Sequence, residues 1–234
     1  MTREATVRGR AASSRSNSED LGEDDPLHED SPARSNSPQS LVSLKHFVLS
    51  VSVERLSLLV MLLLLQSLSS VILNRFEGLL HSHVEVMLFL TMLVGAGGNA
   101  GNQSAVRVIR DLAGVPKGIA LPRRVVREFL LQEALVGLVM SVLLGIVGFL
   151  RVVLFLGMSS FDSAFLLASV IAVSLILIVI HATVIGCSLP LILQKFGLDP
   201  AHAGPAVQVV MDILGVFITC TVASVMLPEN SPSP

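Results

Sequence analysis

Tryptophan and tyrosine are missing from this chain of 234 residues, and cysteine occurs only twice. The missing aromatics bear on the one strongly basic stretch, which carries Arg107, Arg110, Lys117, Arg123, Arg124 and Arg127. A nucleic-acid surface interleaves such cations with stacking side chains. This stretch therefore reads as a loop that sets membrane topology, and no nucleic-acid partner is expected. Cys187 and Cys220 both fall inside apolar runs. Two such cysteines argue against a structural disulfide, cannot build a zinc site, and suit small buried hydrophobes. Charge is scarce too. Asp, Glu, Lys and Arg make up 15% of the chain, hydrophobic residues make up 52%, and the mean hydropathy is +0.74. That is too apolar for a soluble domain of this size. No Gly-x-Ser-x-Gly or His-Glu-x-x-His motif occurs. An intramembrane hydrolase is therefore disfavoured, and no enzyme is expected.

What is present is a series of long apolar segments. A bilayer core takes about 20 residues per helix. Five spans are expected, roughly over 55–74, 86–111, 128–156, 163–193 and 203–227. The expected fold is therefore an all-α integral membrane protein with five transmembrane helices per chain. The third and fourth spans are long enough to predict tilt or bending. Residues 1–40 are rich in Ser, Arg, Asp, Glu and Pro and read as a disordered tail. Residues 41–54 are moderately amphipathic. They read either as a segment lying in the interface or as a continuation of the first helix. The membrane domain is then 55–228, with a short tail over 229–234. Lys and Arg gather in the connection between spans two and three. Lys45, Arg55 and Lys195 fall on the same side, and only Arg75 and Arg151 fall on the other. This bias predicts a cytoplasmic amino terminus and a carboxyl terminus on the opposite side.

Within the spans, polar residues are concentrated in two places. Val86–Val106 contains no Asp, Glu, Lys or Arg, yet includes Gly-Gly-Asn-Ala-Gly-Asn-Gln-Ser at 97–104. Side-chain amides are costly in hydrocarbon unless they find partners. Gly95, Asn99 and Asn102, with nearby Gln103, form a polar stripe, while Gly97 and Gly101 make a small-xxx-small pattern. The stripe reads as close helix packing, as a broken or closely approached helix lining a pore, or as both. In the fifth span Asp212 is the only formally charged side chain between Ala203 and Leu227. Gly204, Gln208, Asp212, Gly215 and Thr219 recur at helical spacing and share one face. An intramembrane carboxylate is a candidate functional site. The alternative is a packing seam with a hydrogen-bonded, protonated Asp.

One acid with several neutral oxygens suits a hard, hydrated cation such as Mg²⁺. A single carboxylate per chain is a poor cage, whereas two across a symmetric dimer axis could hold a hydrated divalent ion. An anion path would require inward Arg or Lys at mid-depth, which the spans lack. Glu133, at the start of the third span, either lines the cytoplasmic mouth or sits at the interface. His81, His83 and Glu85 resemble a small metal cluster but read better as a solvated loop. His181 reads as a hydrogen-bonded packing residue.

Three places in the sequence carry a family resemblance. Val94 through Ser104 resembles the Gly-Gly-Asn-x-Gly-x-Gln signature of the MgtE family of magnesium channels and transporters. Gln132-Glu133-Ala134-Leu135-Val136-Gly137 is similar to the acidic start of that family's third helix. Leu189-Pro190, Leu198-Asp199-Pro200, Gly204-Pro205 and Asp212-Ile213-Leu214-Gly215 resemble its Leu-Pro, Leu-Asp-Pro, Gly-Pro and Asp-x-x-Gly series. The resemblance covers about 45–228. It implies a homodimer whose pore follows the two-fold axis, lined by helices two and five, with Mg²⁺ as the transported ion. It further implies Asp212 as the ion-site acid, Gly204 (through its carbonyl) and Gln208 beside it, and Asn99 and Asn102 on the second helix. Gln208 departs from the small residue familiar at its position. Regulated bacterial members carry cytosolic sensing modules ahead of the membrane part. Here a short tail precedes it, so that gate is expected to be absent or supplied otherwise. Another cation (Co²⁺, Mn²⁺ or Na⁺-coupled Mg²⁺) and a non-transporting membrane subunit remain the alternatives.

Overall fold

The computed structural model describes residues 38–155 and 161–227. Most of the expected tail, 1–37, lies outside the described residues, as do 156 and 228–234. The chain divides into two units, Met1–Val48 and Leu49–Pro234. The described part of the first is helical. The second contains the membrane helices. In chain order the elements are α1 (Pro38–Gln66), α2 (Leu68–Arg75), α3 (Glu77–Ser82), α4 (Val84–Asp111), α5 (Arg123–Phe155), α6 (Phe161–Lys195) and α7 (Ala203–Met226). A 3-10 turn at Pro200–His202 precedes α7. No strand occurs among the described residues.

Among the described residues, five segments are long and apolar enough to cross a membrane: His46–Arg75, Val84–Asp111, Arg123–Leu154, Asp162–Lys195 and Pro200–Met226. They coincide with the five expected spans, so the protein is an all-α, multi-pass membrane protein. Helices are the outcome because hydrocarbon offers the backbone no partner, and an α-helix satisfies its own N–H and C=O groups. The first span is made of two pieces, α1 and α2, which meet at a turn at Ser67. Residues 41–54 lie within α1.

The centre of the bundle is α6. It packs on α4, α5 and α7, while α4 also packs on α7 and α2 meets α7. The shared core is built from Ile171, Ile178 and Ala182 of α6, Leu93 and Ala105 of α4, and Val207 and Met211 of α7. The outer helices point their large side chains away from it. Leu59, Leu63 and Leu64 of α1 and Leu135, Leu143 and Leu154 of α5 are exposed, as lipid-facing residues should be.

Lipid is as apolar as leucine, so these helices gain by touching closely rather than by escaping water. Glycine permits the contact. A Cβ placed at Gly186 of α6 would overlap the backbone carbonyl of Gly101 on α4. A Cβ at Gly97 would come within 2.5 Å of Ile178, and one at Gly145 of α5 within 2.7 Å of Ile176. The second span is therefore an unbroken helix, closely approached by its neighbours. Pro190, inside α6, lacks an N–H and removes the bond that the Gly186 carbonyl would accept in a regular helix.

Glu133 is buried between α4 and α5. Its Oε2 accepts from Ser104 Oγ at 2.6 Å and its Oε1 accepts from Arg107 Nη1 at 2.8 Å. The other guanidinium nitrogen of Arg107 reaches Gln132 Oε1 at 3.2 Å. The sequence offers Glu133 as a mouth-lining acid or an interfacial one, and the structure gives it partners on α4. Glu133 bridges two helices.

The loops at the basic end are fastened to α6. Gly197, at φ 75°, closes that helix with Leu198 N–H on Leu193 O (2.9 Å) and Gly197 N–H on Gln194 O (3.1 Å). Gln194 Nε2 donates to Pro116 O at 2.7 Å, and Gly118 N–H donates to Gln194 O at 3.0 Å. Asp199 then accepts from Lys117 Nζ at 2.9 Å and from Ala201 N–H at 3.0 Å. Lys117 first, and the Ala201 N–H second, hold the Asp199 carboxyl below the usual carboxylate range. Asp199 thereby caps the 3-10 turn that precedes α7.

Two substitutions test the packing. Gly186→Ala forces two backbones apart and should cost about 1–3 kcal/mol in thermal unfolding of the detergent-solubilised protein. Gly95→Ala, where an added Cβ meets nothing within 4 Å, should stay within about 0.5 kcal/mol of the parent. Glu133→Leu should cost about 1–3 kcal/mol by the same measurement. That is less than for a fully enclosed pair, because Arg107 is half-exposed and its charge can turn to solvent.

Candidate functional site

Asp212 sits midway along α7 and is half-buried. Its Oδ1 accepts from Gln208 Nε2 at 2.9 Å, one helical turn earlier. Its Oδ2 accepts from Gln66 Nε2 at 2.6 Å, from the end of α1. The carboxyl opens on a cavity of about 320 Å³ lined by Gln66, Ser69, Leu90, Thr91, Val94, Gly95, Gln208, Asp212 and Val216. Three separate segments of the chain thus build one polar hollow among apolar walls.

The glycine signature of α4 has a local reason here. A Cβ at Gly98 would collide with the Gln208 amide, lying 2.5 Å from its Cδ and Nε2. The missing side chain at 98 is what lets Gln208 lie along α4 and reach Asp212. A Cβ at Gly204 would fall 2.9 Å from Asn102 Oδ1, so the first turn of α7 and the amide of Asn102 are also neighbours.

Of the sequence-predicted set, Asp212 and Gln208 are therefore bonded directly, and Asn102 and Gly204 are adjacent. Gly204, Asn99 and Asn102 do not line the Asp212 cavity. Asn99, Asn102 and Gln103 are exposed on the single chain, and Gly95 and Thr91 continue that open side towards the cavity. The stripe on α7 divides. Gly204, Gln208 and Asp212 are half-buried, whereas Gly215 packs on Val94 and the buried Thr219 donates to Gly215 O at 2.7 Å. Its carboxyl-terminal half is a packing seam.

Sequence reasoning missed Gln66. The signal was there: Gln66 is a lone amide following the run Leu62–Leu65, and the cost of an amide in lipid applies to it as to Asn99. Its partner lies 146 positions away, so no local pattern names it. Elsewhere, His81 faces Glu77 at 3.6 Å on an exposed turn. Among the described residues no group of three or more His, Cys, Asp or Glu comes together as a metal cage. His181 Nδ1 is 2.7 Å from Leu177 O, within its own helix. Cys187 and Cys220 are free and buried.

The hollow can hold a hydrated cation loosely, through one carboxylate with amides and hydroxyls around it. It lacks the dense set of oxygens that would strip an ion of its water.

Residues 90–222 match the family model MgtE, described as a divalent cation transporter. The chain is 36% identical over 174 residues to the magnesium transporter MgtE of Thermus thermophilus, a match covering 74% of this chain and 36% of that protein. It is 34% identical over 175 residues to the magnesium transporter MgtE of Bacillus subtilis, covering 74% and 36%. A third relative, the magnesium transporter MgtE of Enterococcus faecalis, is 27% identical over 180 residues, covering 76% and 38%. The chain thus spans well under half the length of these relatives. The family match takes in α4 to α7, the signature on α4 and the Asp212 turn of α7, and this chain belongs to the MgtE family of divalent cation transporters.

Proposed function

We propose that this chain transports a divalent cation, Mg²⁺, across a membrane. The path runs at the two-fold axis of a homodimer, lined by α4 and α7, with Asp212 as the ion-site carboxylate. One observation carries the reading: a single acid at mid-span opens on a polar cavity that apolar helices would otherwise fill. The names of the relatives supply the ion. The chemistry agrees, since Mg²⁺ sheds water reluctantly and is bound by few carboxylates with its water largely kept.

The dimer follows from what one chain leaves open. Asn99, Asn102 and Gln103 face outward on a helix whose other face is the core. Exposure of three amides to lipid is unfavourable. A second copy against this face would cover them and bring two Asp212 carboxylates towards one axis. Gly204 offers its carbonyl and Asn102 its amide to the same path. In this reading the basic stretch 107–127 and the amino terminus lie on the cytoplasmic side.

Asp212→Asn keeps the shape and removes the charge. Mg²⁺ flux into proteoliposomes should fall at least about tenfold, as expected for losing a charged contact. Asp212→Glu should retain part of the flux, because the longer arm alters how a hydrated ion fits. Wild-type flux in Asp212→Asn would remove the carboxylate from the path. For the dimer, Asn99→Cys in a chain cleared of its two native cysteines should cross-link between copies with a short bifunctional thiol reagent. Full transport by a monomer with no such cross-link would contradict the two-fold pore.

A further inference from the structure

We propose that Gln66 is an ion-displaceable latch, tying the first membrane span to Asp212 when the site is empty and releasing it when a divalent cation arrives. This rests on the reading of Asp212 as the ion site and adds α1 to a site otherwise built from α4 and α7.

Three observations lead here. Both oxygens of Asp212 accept from amide N–H groups, Gln208 at 2.9 Å and Gln66 at 2.6 Å. The two donors are not equivalent. Gln208 is on the same helix, four residues away, and travels with Asp212 in any rigid movement of α7. Gln66 belongs to another element, so its bond is made or broken as α1 and α7 shift against each other. Gln66 is also the last residue of α1, and α2 starts at Leu68. Hydroxyls support the backbone at this junction: Ser67 Oγ donates to Leu64 O at 2.6 Å and Ser69 Oγ to Gln66 O at 2.7 Å. Lastly, Gln66 and Ser69 both line the Asp212 cavity. Interrupted helices at mid-membrane are where transported ions and moving elements tend to meet.

The chemistry makes the bond competitive. An amide N–H and a cation, or the water a cation carries, seek the same lone pairs of the carboxylate. A hydrated Mg²⁺ at Oδ2 therefore has to displace the Gln66 amide. Once displaced, the amide no longer holds α7. Ion occupancy is thereby read out as freedom of α1 at its junction with α2. The latch also lowers apparent affinity, because the competent state is only a fraction of the ion-free population.

The test measures Mg²⁺ binding directly, as the rise in unfolding temperature of the full, detergent-solubilised chain against MgCl₂ at constant ionic strength. Gln66→Met keeps the length of the side chain, removes the donor and suits an apolar span. It should lower the half-saturating Mg²⁺ concentration about threefold to tenfold, the range for a latch closed in most ion-free molecules. Asp212→Asn should abolish the Mg²⁺-dependent rise, and adding Gln66→Met to it should change nothing further. An unchanged or higher half-saturating concentration in Gln66→Met overturns the latch while leaving Asp212 as the ion site. A full Mg²⁺-dependent rise in Asp212→Asn overturns the ion site itself, and the latch with it.

Discussion

A membrane interior supplies no hydrogen bonds, and this one constraint organises the chain. Backbone groups meet it by forming helices. Side-chain groups meet it by finding each other, and the structure is largely a record of which ones do. Glu133 takes Ser104 and Arg107, and Asp212 takes Gln66 and Gln208. Hydroxyls such as Thr219 and Ser188 fold back onto carbonyls of their own helices. Each solution ties elements together or stays silent, depending on whether the partner is near or far in sequence. Glu133 and Asp212 belong to the first kind, and so they tie α4 to α5 and α1 to α7.

The spans were legible because length and apolarity decide them, and no tertiary contact can override twenty residues of hydrocarbon. The site was legible in part. Asp212 and Gln208 share a helical face, so spacing alone put them together. Asn99 and Asn102 were recognised by the same cost argument, but the signature left open whether α4 is broken. The structure keeps it whole, because the glycines answer to neighbouring helices: Gly98 to Gln208, Gly101 to Val207 and Ala182. The small and polar stripe of α7 looked uniform in one dimension. Only the position of Val94 shows that Gly215 is packing surface. Gln66 escaped because its partner is set by how the first span leans on the fifth, which no local periodicity encodes.

The two faces of α4 divide the labour. From Gly97 to Gly101 one is reduced to glycine and alanine so that α6 and α7 can approach. The other keeps its amides and stays open. A helix built this way is held by its neighbours along one face, while the amides of the other stay uncovered on the single chain.

Gly98 has a consequence beyond fit. It has no side chain to form a hydrogen bond and is not among the residues lining the Asp212 cavity, yet the path of Gln208 towards Asp212 passes over it. Any added carbon there would tilt that amide like a wedge under a lever. The acid would then be left with a different set of donors, though nothing touching it had been altered. The hydrogen bonding of Asp212 is therefore governed partly by an atom that is absent, one helix away.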